Sequence, residues 1–331
     1  MGRRFFGQAG TGLLCASDNA SVEECAVCFN GSCPEAGKED MVSRRKIVFG
    51  AAALVLVVAL FLVKSYANGV AAQNVNDTIA RMSKIVDVGY EDVSMNLLNQ
   101  DVTISNVSIA PKGTSKAIDI SRVVVKDFDQ RSAIPAFLSM SLEGVRMNPE
   151  TIGVSQNDLQ KFDIKGNVPY DVVVDYRYNV GKKDFQVNEL SFDVKEIGKV
   201  KLNMHLGSVF LDANNYFEFL ARYPNIQMID AEIAYDDYSL VERIIAAEAK
   251  KKNKDPKDFK KEILKDIDQE IKSENDTSMK QNLEAMRDFV DSQKHISIKI
   301  SPESPVTVQQ IMQSNFDIQR IRKLLNLKIK S

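Results

Sequence analysis

Between residues 170 and 206, apolar and polar residues alternate along the chain. The stretches PYDVVVDYRYNV, DFQVNELSFDVKEI and KVKLNMHLGSVF follow one another, with only GKK and Ile197-Gly198-Lys199 between them. Alternation with a period of two is typical of strands that have one apolar and one wet face, and short connections favour antiparallel neighbours. The pattern therefore predicts a meander of three antiparallel strands, each about ten residues long.

One face of this meander is expected to be apolar and the other wet. Asp171, Asp175 and Arg177 alternate with apolar neighbours and are assigned to the wet face. On the apolar face, Phe185 and Val187, then Leu190, Phe192 and Val194, form one series. The next series is Val200, Leu202, Met204 and Leu206. Six side chains of the apolar face are the candidates to line a groove for acyl chains: Val174, Tyr176, Phe192, Val194, Leu202 and Met204.

Further strands are predicted on both sides of the meander. In DVTISNVSIAP (101–111) the apolar positions shift by one at Ser105-Asn106, which predicts a β-bulge there. The other strand-like stretches are AIDISRVVVKDF, FLSMSLEGVRM, NIQMIDAEIAYDD and KHISIKISP. No linker-like run rich in glycine, serine or proline interrupts the chain, which indicates one continuous domain.

Four stretches have helical periodicity. The first, 69–85, places Val75, Ile79, Met82 and Val86 on one stripe. The others are YSLVERIIAAEAKKK, DPKDFKKEILKDIDQEIKS and SMKQNLEAMRDFVDS, and the middle one has a narrow stripe of Phe259, Ile263, Ile267 and Ile271. A sheet must cover its apolar face, so these helices are expected to pack on it, although they are too narrow to cover it all.

An unbroken apolar run of seventeen residues, 47–63, precedes the predicted domain. As a helix it would be about 25 Å long, close to the thickness of a hydrocarbon core. Arg44, Arg45 and Lys46 flank its start, whereas Lys64 alone flanks its end. By the positive-inside rule, this predicts a transmembrane signal-anchor at 44–67, a cytoplasmic N-terminus and an exported domain at 68–331.

A cleaved signal peptide is the alternative for this run, because Ser65 and Ala67 provide small residues at the −3 and −1 positions. Its apolar core is longer than the usual core of a signal peptide, which favours an uncleaved anchor. Both interpretations export the same domain. The expected fold class is therefore α+β: a single N-terminal transmembrane helix, then a curved antiparallel β-sheet domain with amphipathic helices packed on it.

Residues 1–43 form a leader that contains all four cysteines of the chain, Cys15, Cys25, Cys28 and Cys33. Thiolates at this density suggest zinc or an iron–sulfur cluster, but the spacing matches no regular ligand pattern. The tetrapeptide GKED directly before Met41 is compatible with a purine-rich ribosome-binding sequence. This favours Met41 as the true start and 1–40 as untranslated, with a disordered tail or a metal site as alternatives.

Charge and chemistry narrow the function further. The net charge of −2 gives no electrostatic case for nucleic acid. His205 and His295 lie on predicted strands without partners at ligand spacing, and Asp236-Asp237 are interpreted as capping residues of the next helix. Phosphate-binding loops, nucleophile elbows and HExxH motifs are absent from the sequence. We expect neither an enzyme nor a cofactor.

The order of these features resembles the AsmA-like superfamily of bacterial envelope proteins, including the YdgA-type group. The resemblance rests on the anchor, on YEDVSMNLLNQDVTISNVSI, on IDAEIAYDDYSLVERIIAAEAKKKNKDPKDFKKEI, and on the closing ISIKISPESPVTV and LLNLKI. It implies an inner-membrane anchor and an open sheet with an apolar concave face. Larger members are implicated in moving phospholipid, whereas this sheet is too short to bridge the periplasm.

Two functions are expected from this reading. The first is an inner-membrane-anchored periplasmic protein whose apolar sheet face serves envelope maintenance or lipid binding, with the membrane and phospholipid as partners. The alternative is a structural or regulatory subunit that docks another envelope protein through a sheet edge or an exposed apolar patch, without a lipid ligand.

Overall fold

The computed structural model describes residues 86–331, apart from 97, 100, 112–117, 130, 133, 150–153, 165 and 212–215. In these residues twelve strands form one antiparallel sheet. The strands are β1 (Val86–Gly89), β2 (Asp92–Met95), β3 (Val102–Pro111), β4 (Ile118–Phe128), β5 (Phe137–Met147), β6 (Tyr170–Asn179), β7 (Asp184–Val194), β8 (Gly198–Gly207), β9 (Gln227–Asp237), β10 (His295–Ile300), β11 (Val306–Thr307) and β12 (Lys328–Lys330).

Neighbours in sequence are mostly neighbours in the sheet. The order is β1-β3-β4-β5-β6-β7-β8-β9-β10-β12, with β2 paired to β3 and β11 paired to β9. The predicted meander is confirmed as β6, β7 and β8, and the five other predicted strands are β3, β4, β5, β9 and β10. Strand β7 contains a bulge that the sequence pattern did not predict, because the register with β8 shifts between Val187 and Leu190.

Asn106 lies where a bulge was predicted in β3. The phase change is confirmed, since Ile104 and Val107 are both buried although three positions apart. The bulge against β4 is wrong, because the pairing with β4 keeps one register through this point. The register aligns Asn106 with Ser121 of β4, and Ser121 with Gly144 of β5. All three strands change phase in this same row.

We call Asn106, Ser121 and Gly144 the phase-change row. Asn106 and Gly144 both have left-handed backbone, with φ of 51° and 63°. The row ends at β6, where the register shifts between Leu142 and Val145. There the Gly144 amide donates to Oδ1 of Asp171 at 2.6 Å, so the displaced backbone group keeps a partner.

Seven helices accompany the sheet in the described residues. They are α1 (Gln156–Lys161), α2 (Tyr216–Arg222), α3 (Leu240–Lys251), α4 (Pro256–Ser273), α5 (Thr277–Ser292), α6 (Val308–Gln313) and α7 (Ile318–Leu324), with a 3-10 turn at Tyr223–Asn225. The three predicted helices after β9 are confirmed as α3, α4 and α5. Asp255 caps α4, because its side chain accepts from the amide of Lys257.

The fold class expected from the sequence is wrong. The structure is a twelve-stranded antiparallel sheet with seven helices, and none of the helices it describes is long and apolar enough to cross a membrane. The predicted leader 1–43, the anchor 44–67 and the helix 69–85 lie outside the described residues. Val86, assigned to the stripe of that helix, is instead the first residue of β1.

The long helices were also expected to pack on the apolar face of the sheet, but only α5 has its main strand contacts there, with β10, β12 and Tyr235. Helix α4 packs between α3 and α5, and Phe259 of α4 is buried with Ile245 and Ala249 of α3. Helix α5 packs against β10 and β12. Its buried Asn282 accepts from the amide of Ile329, which closes the edge of β12.

The hydrophobic core therefore lies in the first half of the sheet. It is formed by side chains of β3, β4, β5 and the start of β6, and by no residue of β7 or β8. Its fully buried members are Ile104, Ile109, Ile120, Val123, Leu138 and Met140. This position of the core decides where apolar surface remains open.

Candidate functional site: an apolar window on the sheet

Directly paired residues form apolar rows that cross the sheet from end to end. Paired residues of an antiparallel sheet share a face, so each row lies on one side. The first row contains Val102, Val125, Met140, Val174, Leu190, Leu202, Ile233, Ile298 and Ile329. The second contains Ile104, Val123, Leu142, Val172, Phe192, Val200, Tyr235 and Ile296. Two apolar rows thus run from the core across the meander.

Exposure changes sharply along these rows. In the second row the relative accessibility is 0% at Ile104 and 8% at Val172, but 42% at both Phe192 and Val200. In the first row it is 1% at Met140 and 42% at Ile233. We call Leu190, Phe192, Val200, Leu202 and Ile233 the apolar window. It is the part of the continuous apolar face that reaches solvent.

Aromatic side chains close the window on the side of β9. The ring of Tyr235 meets Phe289 of α5 edge-on, with 6.1 Å between the ring centroids. Tyr235 also lies over Gly198, where an added Cβ would be 2.6 Å from the phenol oxygen. Only glycine fits beneath the ring, and the Tyr235 hydroxyl donates to Oδ1 of Asp237 at 2.7 Å. Burial, followed by this bond and the charge of Asp237, raises the pKa of Tyr235.

A second aromatic group closes the apolar face toward the other end of the strands. Tyr176 stacks on Phe185 with 5.4 Å between centroids, and Tyr178 lies 6.1 Å from the same ring. The Tyr178 hydroxyl donates to the carbonyl of Val209 at 3.0 Å. Both phenol groups are tied to backbone, since the Tyr176 hydroxyl donates to the carbonyl of Pro135 at 3.3 Å. This end is therefore a fixed wall of the face.

All six side chains predicted for the groove lie on this face, in the adjacent strands β6, β7 and β8. Phe192 and Leu202 belong to the window. Val174 and Tyr176 pack against the core instead, and Val194 and Met204 are half-buried at either side. Sequence reasoning left out Leu190, Val200 and Ile233, although pairing β7 with β8 through the turn at 195–197 already places Val200 opposite Phe192.

Hydrogen bonds and an ion pair link the side chains on the face of the meander opposite the window. Asp175 accepts from Ser139 at 3.0 Å and from Asn188 at 2.6 Å. Glu189 accepts from the buried Ser191 at 2.9 Å and pairs with Lys201 at 3.3 Å. Burial by itself raises the pKa of Glu189, but these partners outweigh it and the net pKa is lowered. The face under the window is thus wet and fixed.

The titratable residues singled out in the sequence have structural partners. His205 lies between two aspartates, with Nε2 at 2.5 Å from Asp184 and Nδ1 at 3.5 Å from Asp230. The pair Asp236-Asp237 ends β9 and splits: Asp236 pairs with His295 at 2.7 Å, while Asp237 accepts from the amide of Val241 in α3. Across the part of the chain that the structure describes, no group of three or more metal-ligating side chains is found.

Among the surface depressions in the described residues, two that lie outside the window have charged residues in their lining. One, of about 300 Å³, lies beside the phase-change row and is lined by Arg122, Glu143, Arg146, Asp171 and Lys195 among others. The other, of about 320 Å³, lies between Glu303 and Asn326. Charged side chains in both linings distinguish these depressions from the window, whose five side chains carry no polar atom.

Comparison with known proteins adds little to this geometry. Residues 191–331 match a family model that is described only as an uncharacterized protein. The match covers β8 to β12 and the last four residues of β7, so it includes every window residue except Leu190, and none of the core. A search of curated proteins finds no match to the chain.

Proposed function

We propose that the apolar window binds the acyl chains of a lipid. The observation that carries this proposal is the change of exposure along single rows of one face. The second row is buried from Ile104 to Val172 and 42% exposed at Phe192 and Val200, and the first row is buried from Val102 to Met140 and 42% exposed at Ile233. Together the three exposed side chains leave on the order of 200 Å² of apolar surface in water, which corresponds to about 5 kcal/mol when it is covered.

The lining favours a flexible apolar ligand over a polar small molecule. Within the window the cross-strand pairs are Phe192 with Val200 and Leu202 with Ile233, and none of these side chains carries a polar atom. Two adjacent rows form a shallow strip across three strands, so about 10 Å of an extended chain can lie along it. A head group would remain outside this strip, in solvent.

Photo-crosslinking side chains at Val200 and Ile233 test the proposal in living cells. We expect crosslinks to lipid at both positions. Lys201 is the matched control, since it follows Val200 directly, its side chain is 39% exposed, and it lies on the opposite face. A probe at Lys201 should therefore capture no lipid. Equal capture at Val200 and Lys201 would contradict the proposal.

Docking of another envelope protein is the second candidate function, because a patch of this kind also suits a protein interface. It is separated from lipid binding in the same experiment. Crosslinks at Val200 and Ile233 that lead only to protein would favour docking. The membrane location expected from residues 47–63 stays a prediction, and neither outcome depends on it.

A further inference from the structure

The most exposed large hydrophobic side chains lie far from the window, and they share one end of the sheet. Among the described residues, each large hydrophobic side chain that is 60% or more exposed is in a connection at this end. These connections join β2 to β3, β6 to β7, β8 to β9 and β10 to β12. The residues are Leu98, Val180, Phe217, Phe316 and Ile318, with exposures from 60% to 97%, and we call them the loop rim.

The strand order places these connections together. In a sheet where consecutive strands are antiparallel neighbours, alternate connections emerge at the same end. Strand β11, within the connection from β10 to β12, confirms this, because Val306 pairs with Met228 at the start of β9. These connections lie along an end of the sheet that extends over eight strand spacings from β3 to β12, or about 40 Å.

The local structure holds two rim side chains, Phe316 and Phe217, in their exposed positions. Asn315 and Phe316 both have left-handed backbone, with φ of 53° and 57°. This conformation is uncommon for phenylalanine and costs about 1–2 kcal/mol. In the connection from β8 to β9, Arg222 pairs with Glu218 at 2.6 Å and stacks at 4.5 Å on Phe210, which fixes α2 while Phe217 points outward.

Two cations accompany the apolar tip of the connection from β6 to β7. Lys182 and Lys183 are exposed in the same four-residue connection as Val180. The ammonium group of Lys183 lies 5.9 Å from the ring of Phe210. An aliphatic tip flanked by lysines is suited to the boundary between acyl chains and anionic head groups.

We propose that the loop rim docks on an anionic lipid bilayer by inserting its apolar tips. The tips lie on four separate connections along about 40 Å of this end of the sheet, so a protein partner would need a matched pocket for each. A fluid bilayer accepts separate tips without any shape match. This proposal is independent of the acyl-chain proposal, because the rim and the window lie toward opposite ends of β7.

The chain contains no tryptophan, so a single introduced tryptophan reports on one place. We would prepare the full chain with Phe217→Trp or Phe316→Trp and add vesicles of phosphatidylethanolamine and phosphatidylglycerol, with and without bromine on the acyl chains. Bromine should quench both rim probes at least twofold. Tyr238→Trp is the control, since this half-exposed residue follows β9 at the other end of the sheet and should not be quenched.

Charge gives a second readout on the same probes. Lys182→Gln and Lys183→Gln should each weaken docking on phosphatidylglycerol vesicles about fivefold, and neither should matter on neutral vesicles. The proposal would be overturned if bromine quenched the rim probes no more than it quenches Tyr238→Trp. It would also be overturned if protein contact alone shielded the tryptophans of the rim. Val200→Trp reports on the window in the same series, so the two proposals fail separately.

Discussion

Val123 and Val200 allow one prediction to be worked through in detail. Both are valines in the second apolar row, each in a strand with neighbours on both sides. Val123 is 1% exposed and Val200 is 42% exposed. Changing each valine to alanine removes the same two methyl groups and the same strand preference. The difference between the two losses of unfolding free energy therefore reports burial alone.

The magnitudes follow from the exposures. Two fully buried methyl groups contribute about 1.6 kcal/mol, and the cavity left at Val123 adds about 1 kcal/mol. Val123→Ala should therefore lower the free energy of unfolding by about 2.5 kcal/mol. At Val200 the transfer contribution falls to about 1 kcal/mol in proportion to burial, and solvent fills the space. The expected difference is about 1.5 kcal/mol.

Urea unfolding of the full chain, followed by circular dichroism, measures this difference. The slope with urea should stay constant between variants, so that the midpoint reports stability. Equal costs at the two positions would refute the window, because the apolar face would then be covered over β8 as well as over β4. A larger cost at Val200 would refute the position of the core.

Three further predictions concern particular contacts. Gly144→Ala should destabilise the protein by about 2 kcal/mol or more in thermal unfolding, since the backbone of Gly144 is left-handed and the added Cβ would lie 2.6 Å from a serine oxygen. Gly89→Ala is the control and should be nearly neutral, because its added Cβ would meet nothing within 4 Å. Asp175→Ala should cost about 1–2 kcal/mol in urea unfolding, because it leaves two hydrogen bonds unmade; a neutral result would mean that they contribute nothing. The hydrogen bond from Arg322, 2.7 Å away, lowers the pKa of Asp276 to about 2. The ionised Asp276 therefore contributes its full stability to the folded state above about pH 4, and this stability is lost as the pH falls through about 2. Acid unfolding of Asp276→Asn should lack this loss, and an acid unfolding profile equal to that of the unchanged protein would contradict the prediction.

Sequence alone predicted the strands well because each strand carries its own pattern. The alternation in β6 and β8 is complete within ten residues, whereas the bulge in β7 between Val187 and Leu190 was not predicted. These signals are local, since side-chain direction in a strand depends only on position. Strand β12 was missed because three residues are too few to show a period.

Periodicity in the sequence could not predict which elements cover the apolar face of the sheet. The stripe of α4 at Phe259 and Ile263 indicates that something packs there, but the partner is α3 rather than the sheet. Asp175 was assigned to water from its alternation, yet Ser139 and Asn188 reach it from other parts of the chain. Which surface meets which is decided by contacts between distant segments, and periodicity within one segment does not encode them.

The phase-change row has a consequence for how this sheet tolerates changes of length. Asn106, Ser121 and Gly144 let three strands reverse their inward and outward positions together, while the pairing of β3 with β4 and of β4 with β5 is preserved. Deleting Asn106 alone would turn the rest of β3, including Val107 and Ile109, away from the core. Insertions and deletions in this row should therefore be inherited as a set: relatives that lack the extra position in one strand should lack it in all three.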